Sequence, residues 1–308
     1  MAYSLGGLTA YTNENADQLI AKAIYGGKTI SMIPNKQAGI KSAEKINLLA
    51  VTPVFQVGGS CTFNASGATA ITQRTITVGK YRVNLSWCEK DLEAYYTQKK
   101  LAAGSSYDSM AYAKEITDEV LAQINNKMEL VAWQGDVDSV DAYLTLSDGF
   151  IKIIDAASGV IDATAQADIT TSTVRGIFEN IYTLLPPAIV NKEDVVAFCG
   201  WDTFRTLITK LTTDNLYHYA FDANSKQGEL YYPGSTLKVV AVNGLDGTDR
   251  IFAGQLSNFF YGTDLLNEEE RFELFQYKDG SNEFRLVAEW KAGFQIAFPD
   301  QIVSYANS

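Results

Sequence analysis

The chain has 308 residues, of which 46% are hydrophobic, 12% aromatic and 20% charged, and its formal net charge is -11. That length allows one large or two ordinary domains with a real core, and the composition excludes a wholly disordered or coiled-coil protein. The acidic balance disfavours an electrostatic grip on phosphates and argues against sequence-specific DNA binding.

The longest apolar runs, such as "NLLAVTPVFQV" at 47–57, fall far short of the roughly 20 residues that span a bilayer. The N-terminus lacks a basic region followed by an apolar one, so no secretory signal is expected. Cys61, Cys88 and Cys199 are odd in number and widely separated. They form neither a disulfide framework nor a CxxC pair, and reduced, buried thiols are expected.

In chain order, residues 1–46 read as an arm rich in Gly, Asn, Lys and Ala. Within it, "NENADQLIAKAIYGG" is a short amphipathic helix capped by Asn13 or Asn15 and ended by Gly26 and Gly27. From residue 47 to 87 the period is two. Ile76 and Val78 alternate with polar residues, and after Gly79-Lys80 the apolar positions become Tyr81, Val83, Leu85 and Trp87. That change of parity predicts a turn or bulge at Gly79-Lys80 within a two-stranded excursion over 54–85, its tip in the loose "VGGSCTFNASGATA" text. Such a hairpin is marginal alone and needs another surface to lie on.

"CEKDLEAYYTQKKLAAG" predicts a short helix ended by Gly104. The strongest element covers 109–133, where Ile116, Val120, Ile124, Met128 and Val131 recur at three or four residues, with Leu121 beside them and Glu115, Asp118, Glu119, Asn125 and Lys127 on the other side. Gly135 is expected to follow its end. Next, "FIKIIDAA" is a strand or short helix, "STVRGIFENIYTLLPP" a helix capped by Ser172 and stopped by Pro186-Pro187, and "EDVVAFCG" a buried strand running into the helix "WDTFRTLITKL". The remainder is nearly all strand, with a hairpin turn at Asp279-Gly280.

Chemistry is sparse. The single histidine, His218, reads as a packing residue in an aromatic segment, which sets aside His-based triads and His-rich metal sites. No GxxxxGK[ST] or strand-to-helix GxGxxG occurs, so no nucleotide loop is expected. Asp136, Asp138, Asp141 and Asp148 lie within 13 residues and invite comparison with a calcium loop. Counted from Asp136, the fifth, sixth and twelfth positions are Val140, Asp141 and Ser147, where an EF-hand needs an oxygen ligand, Gly and Glu. A solvated turn after the helix is expected instead. No catalytic, cofactor-binding or metal-ligating residue is assigned, and no cofactor is expected.

What remains is a detached arm, a detached hairpin and abundant Tyr and Phe, the parts of a subunit that completes its core against neighbours. The order of these parts resembles the HK97-like major capsid proteins of tailed bacteriophages. "ELVAWQGD" followed by "SDGFIKII" is similar to the junction after that family's spine helix. "DVVAFCGWDTFRTLITKL" looks like its axial strand and helix, and "PGSTLKVVAVNGLDGTDRIFAGQLSNFFYGTDL" like its long strand pair. The resemblance implies an α+β HK97-like capsid subunit: an N-terminal arm (1–46), an E-loop hairpin (47–87), a peripheral domain (88–162) with spine helix 109–133, an axial domain (163–279), and a return strand to the peripheral domain (280–308).

The same resemblance implies a homo-oligomer of capsomers and shell, an E-loop lying across a neighbour, and non-specific contact with packaged double-stranded DNA. Separate scaffolding, portal and decoration proteins are the implied partners, and the virion capsid, assembled in the host cytoplasm, the implied location. No enzyme and no membrane contact are expected. Some relatives crosslink subunits through a Lys-to-Asn isopeptide bond promoted by a Glu; Lys80 and Asn307 are of the right types, but nothing in their sequence positions brings them together, and no crosslink is expected. The competing readings are an encapsulin-like nanocompartment shell, which usually replaces the extended arm with an N-terminal helix, and an acidic hydrolase or carbohydrate-binding β protein, for which no convergent polar motif exists.

Overall fold

The computed structural model describes residues 27–55, 67–88, 109–163, 168–214, 228–264, 271–276 and 283–306. The amphipathic island of the arm, the helix ending at Gly104, Cys61, His218, the Asp279-Gly280 turn and Asn307 lie outside the described residues.

The long helix is α2, Ser109–Gln134, after the short α1 at Lys28–Met32. At about 1.5 Å per residue its 26 residues make a beam roughly 39 Å long. Val120, Leu121, Ile124, Met128 and Val131 are buried as their spacing requires, and the stripe ends in Ala132 and Trp133, both fully buried. Trp133 sits in a nest of rings, with Phe198, Phe150 and Phe252 at centroid distances of 5.1, 5.4 and 5.6 Å. "FIKIIDAA" resolves as a helix, α3 at Phe150–Ala156.

Two larger sheets share that core. The first runs β1 (Asn35–Gln37), β10 (Phe259–Gly262), β12 (Glu283–Ile296), β11 (Arg271–Gln276), with β4 (Gly79–Cys88) paired to the other edge of β12. The second runs β5 (Ile161–Asp162), β13 (Ile302–Ala306), β9 (Arg250–Gln255), β6 (Val195–Cys199), β8 (Lys238–Ala241), β7 (Glu229–Tyr231). β6 is buried on both faces. Val196 and Phe198 point into the core with Trp133, while Val195, Ala197 and Cys199 point into a second core. That second core is closed by α4 (Val174–Leu184) and α5 (Trp201–Thr213). Val174, Ile177, Phe178 and Ile181 give α4 the i, i+3, i+4, i+7 face that such packing needs. Mixed α+β architecture follows directly from these layers.

The structure differs from the sequence expectations at the hairpin, at β4 and at the start of α4. The two-stranded excursion is formed by β2 (Ala43–Pro53) and β3 (Gly67–Thr77), in register from Ala43 opposite Thr77 to Pro53 opposite Gly67. β4 is not part of it: the parity change at Gly79-Lys80 is where the chain leaves the hairpin and pairs with β12, which places Trp290 opposite Tyr81 with rings stacked at 5.7 Å. Alternation reveals a strand but not its partner. A turn at Pro299–Gln301 separates β12, in the first sheet, from β13, in the second. Ser172 does not cap α4: its hydroxyl pairs with that of Thr170, and the Val174 N–H is taken by the Thr170 carbonyl at 2.9 Å.

Candidate functional site

Among the described residues, three surfaces stand out by their side chains. The acidic stretch after α2 folds back along α3. Asp136, Asp138 and Asp148 converge on Lys152 of α3, whose Nζ lies 2.5, 2.6 and 3.1 Å from their carboxylate oxygens. The Asp138 N–H donates to Asp136 Oδ1 at 2.8 Å and the Val137 N–H to Asp148 Oδ1 at 3.1 Å, so the turn is also tied through its backbone. Lys152 holds Asp136 below the ordinary carboxylate range, and the aspartates raise Lys152 in return. An internal ammonium thus stands where a cation would have been sought. Asp141 stays outside the cluster and shapes the turn, its N–H donating to Ser139 Oγ at 3.2 Å and its carbonyl accepting from Leu144 N–H at 2.9 Å.

The second place is the hairpin. Ile46, Leu48, Ile76 and Val78 are buried on a small core with Ile40 and Ala297. The opposite face carries Leu49 and Ile71 as direct cross-strand partners, 61% and 69% exposed, and Phe55 beyond the end of β2 is 98% exposed. Two apolar side chains directly opposite one another are thus left in water on a ribbon of only two strands.

The third is an apolar groove of about 530 Å³ between α2, β4 and the loop after α2. Val120 and Ile124 form one wall, Val83 and Leu85 another, and Tyr143 and Leu146 the rim, with Lys127 Nζ 4.3 Å from the Tyr143 ring centroid. The loop that makes this rim exposes Val140 almost completely.

One buried polar cluster had no sequence signal. Glu129 lies on the buried side of α2, only 4% exposed, and accepts hydrogen bonds from Thr29, a hundred residues earlier. Its spacing relative to Met128 and Val131 gives no warning, since its partners lie on another element. Cys199 is fully buried and burial pushes its thiol up, away from the thiolate. Among the described residues no group of three or more His, Cys, Asp or Glu is placed to hold a metal ion, and no helix is long and apolar enough to cross a membrane.

No family model and no curated protein matches the chain. Solved structures do match. A chain of the satellite phage P4 procapsid, solved with its size determination protein, aligns with a TM-score of 0.64 at 8% identity, over 95% of this chain and 90% of that one. The capsid of Myoviridae phage XM1 aligns with a TM-score of 0.56 at 11% identity over 92% of both chains. The capsid of cyanophage P-SCSP1u gives 0.54 at 11% identity, over 89% and 86%. At such low identity it is the path of the backbone that is shared, over nearly the whole length. The chain shares the HK97-like fold of these phage capsid structures.

Proposed function

We propose that the chain is a major capsid protein that self-assembles into the icosahedral shell around the double-stranded DNA genome of a tailed phage. The observation that carries this reading is the Leu49–Ile71 face of the hairpin, an apolar surface left in water on a subunit whose fold is shared with phage capsid structures. A neighbouring copy is the surface that this face completes. The role is structural rather than catalytic, and the protein resides in the virion capsid after assembly in the host cytoplasm. Scaffolding, portal and decoration proteins are the kinds of partner such a shell takes, and contact with DNA is non-specific, in keeping with the net charge of -11.

Within this reading the arm is 1–46, the E-loop 47–87, the peripheral domain 88–162, the axial domain 163–279 and the return 280–308. Strand pairing supports redrawing these limits. It favours drawing the hairpin over 43–77 and counting β4, β10, β11 and β12 with the peripheral part and β13 with the axial part.

Electron microscopy and light scattering of the purified protein test the proposal. Shells, capsomers or other large closed assemblies are expected; a strictly monomeric species under all capsid-assembly conditions overturns it.

A further inference from the structure

The short helix α1 has only five residues, too few to persist without tertiary contacts. It is held at two points on different bodies. Toward α2, the Thr29 N–H donates to both Glu129 carboxylate oxygens at 3.2 and 3.1 Å, and the Thr29 hydroxyl donates to Glu129 Oε1 while accepting from Trp133 Nε1–H at 2.8 Å. Toward the six-stranded sheet, Lys28 Nζ donates to the carbonyls of Gly228 and Ala241, each at 3.1 Å, and lies 5.9 Å from the centroid of the Trp201 ring. This socket is close-fitting. Gly228 has a left-handed φ of +75°, and a Cβ there would lie 2.7 Å from Trp201 and 3.1 Å from Lys28 Nζ. Ile30 and Ile33 are buried in the same core as Trp133 and Phe198.

Packing alone would be served by an apolar residue at position 129. A carboxyl group is instead buried against neutral donors, an arrangement whose strength depends on its protonation. We propose that α1 is a detachable clasp joining α2 to the six-stranded sheet, with the Glu129 carboxyl as its proton-operated keeper.

The direction follows from the surroundings. Burial raises Glu129 above the ordinary carboxylate range, and the Thr29 hydrogen bonds and the Lys28 charge oppose this without cancelling it. Lys28 in turn faces Glu229 and Lys238 from β7 and β8, and burial lowers it. The turn at Asn243–Leu245, packed on α2, brings no charged side chain, and the charges of α3, Lys152 and Asp155, are engaged by Asp136, Asp138 and Asp148 and by Arg250. A carboxyl raised in the closed state and hydrated in the open one makes closing take up a proton. The clasp is therefore tightest below the ordinary carboxylate range and loosens as pH rises through the raised value of Glu129.

Hydrogen exchange of the full-length protein, followed at residues 27–33 and corrected for intrinsic rate, tests this independently of whether the chain builds shells. From pH 5 to pH 8, protection of 27–33 is expected to fall while that of β6 stays constant. Glu129→Gln is expected to flatten the profile. Thr29→Val, which keeps the carboxyl and removes the hydroxyl, is expected to lower protection throughout and extend the pH dependence upward. A flat wild-type profile, opening of 27–33 only together with β6, or a Thr29→Val profile identical to wild type overturns the proposal.

Discussion

Gly135 and Gly149 meet backbone to backbone at the end of the long helix, the Gly149 N–H donating to the Gly135 carbonyl at 2.7 Å. Neither glycine has a left-handed φ. They are required by proximity: a Cβ on Gly149 would lie 2.6 Å from the Trp133 carbonyl oxygen and 2.7 Å from that of Val131, and one on Gly135 would lie 2.5 Å from the Ser147 carbonyl oxygen. The crossing pins the acidic loop to the foot of α2 and starts α3 beside it.

Gly149→Ala must displace backbone and is expected to destabilise by about 3 kcal/mol, at the upper end for overpacking. Gly176 is the control. It lies inside α4 with nothing within 4 Å of its would-be Cβ, so Gly176→Ala is expected to stabilise by up to about 1 kcal/mol. Denaturant midpoints of the two variants should move in opposite directions.

The hairpin yields a prediction about assembly. Leu49→Asp or Ile71→Asp changes an exposed residue, so the folded subunit should keep its stability within about 0.5 kcal/mol. In the proposed assembly, each contact between copies would lose the burial of one aliphatic side chain, about 2 kcal/mol or roughly thirtyfold. Sedimentation should show subunits in place of shells, with unchanged circular dichroism. Shells formed at wild-type yield by both variants would move the contact elsewhere.

Tyr81 tests the seam between β4 and the loop. Its hydroxyl shares a 2.6 Å hydrogen bond with Ser147 Oγ in a buried site, and burial pushes the phenol up to about 12. A raised phenol stabilises the fold below its ordinary value near 10, and that stability is lost as pH climbs from there through about 12. Tyr81→Phe should remove this alkaline loss and cost about 1–2 kcal/mol at neutral pH by stranding the Ser147 hydroxyl. The double variant with Ser147→Ala should cost less than the two single effects added, because neither partner is then left alone.

These sites separate what local pattern encodes from what it does not. The stripe Val120, Ile124, Met128, Val131 fixes both the existence of α2 and its buried face, because burial of a helix face is a local periodicity. The alternation through Tyr81 and Val83 identifies a strand equally well, yet its partner β12 lies some two hundred residues away and has no local trace. Glu129 is hidden for the same reason: a charged residue in a helix reads as solvent-facing unless Thr29 is known to be opposite. The acidic stretch reads correctly as a turn, but its counter-charge depends on Lys152 reaching back from α3.

Lys152 gives the last prediction. The wild-type cluster already holds one cation of its own, so calcium and chelators alike should leave the melting temperature unchanged. With Asp136 held below the ordinary carboxylate range, the stability that this pair contributes is present above that range and is lost as pH falls through the depressed value. Lys152→Met removes the ammonium and leaves Asp136, Asp138 and Asp148 facing one another. The variant should melt lower at neutral pH, regain part of the loss on mild acidification as the carboxylates take up protons, and respond to millimolar calcium with a rise that the wild type lacks. Thermal melts at two pH values, with and without calcium, decide it. A wild-type melting temperature that drops on chelation would show that a metal ion, and not Lys152, neutralises the turn.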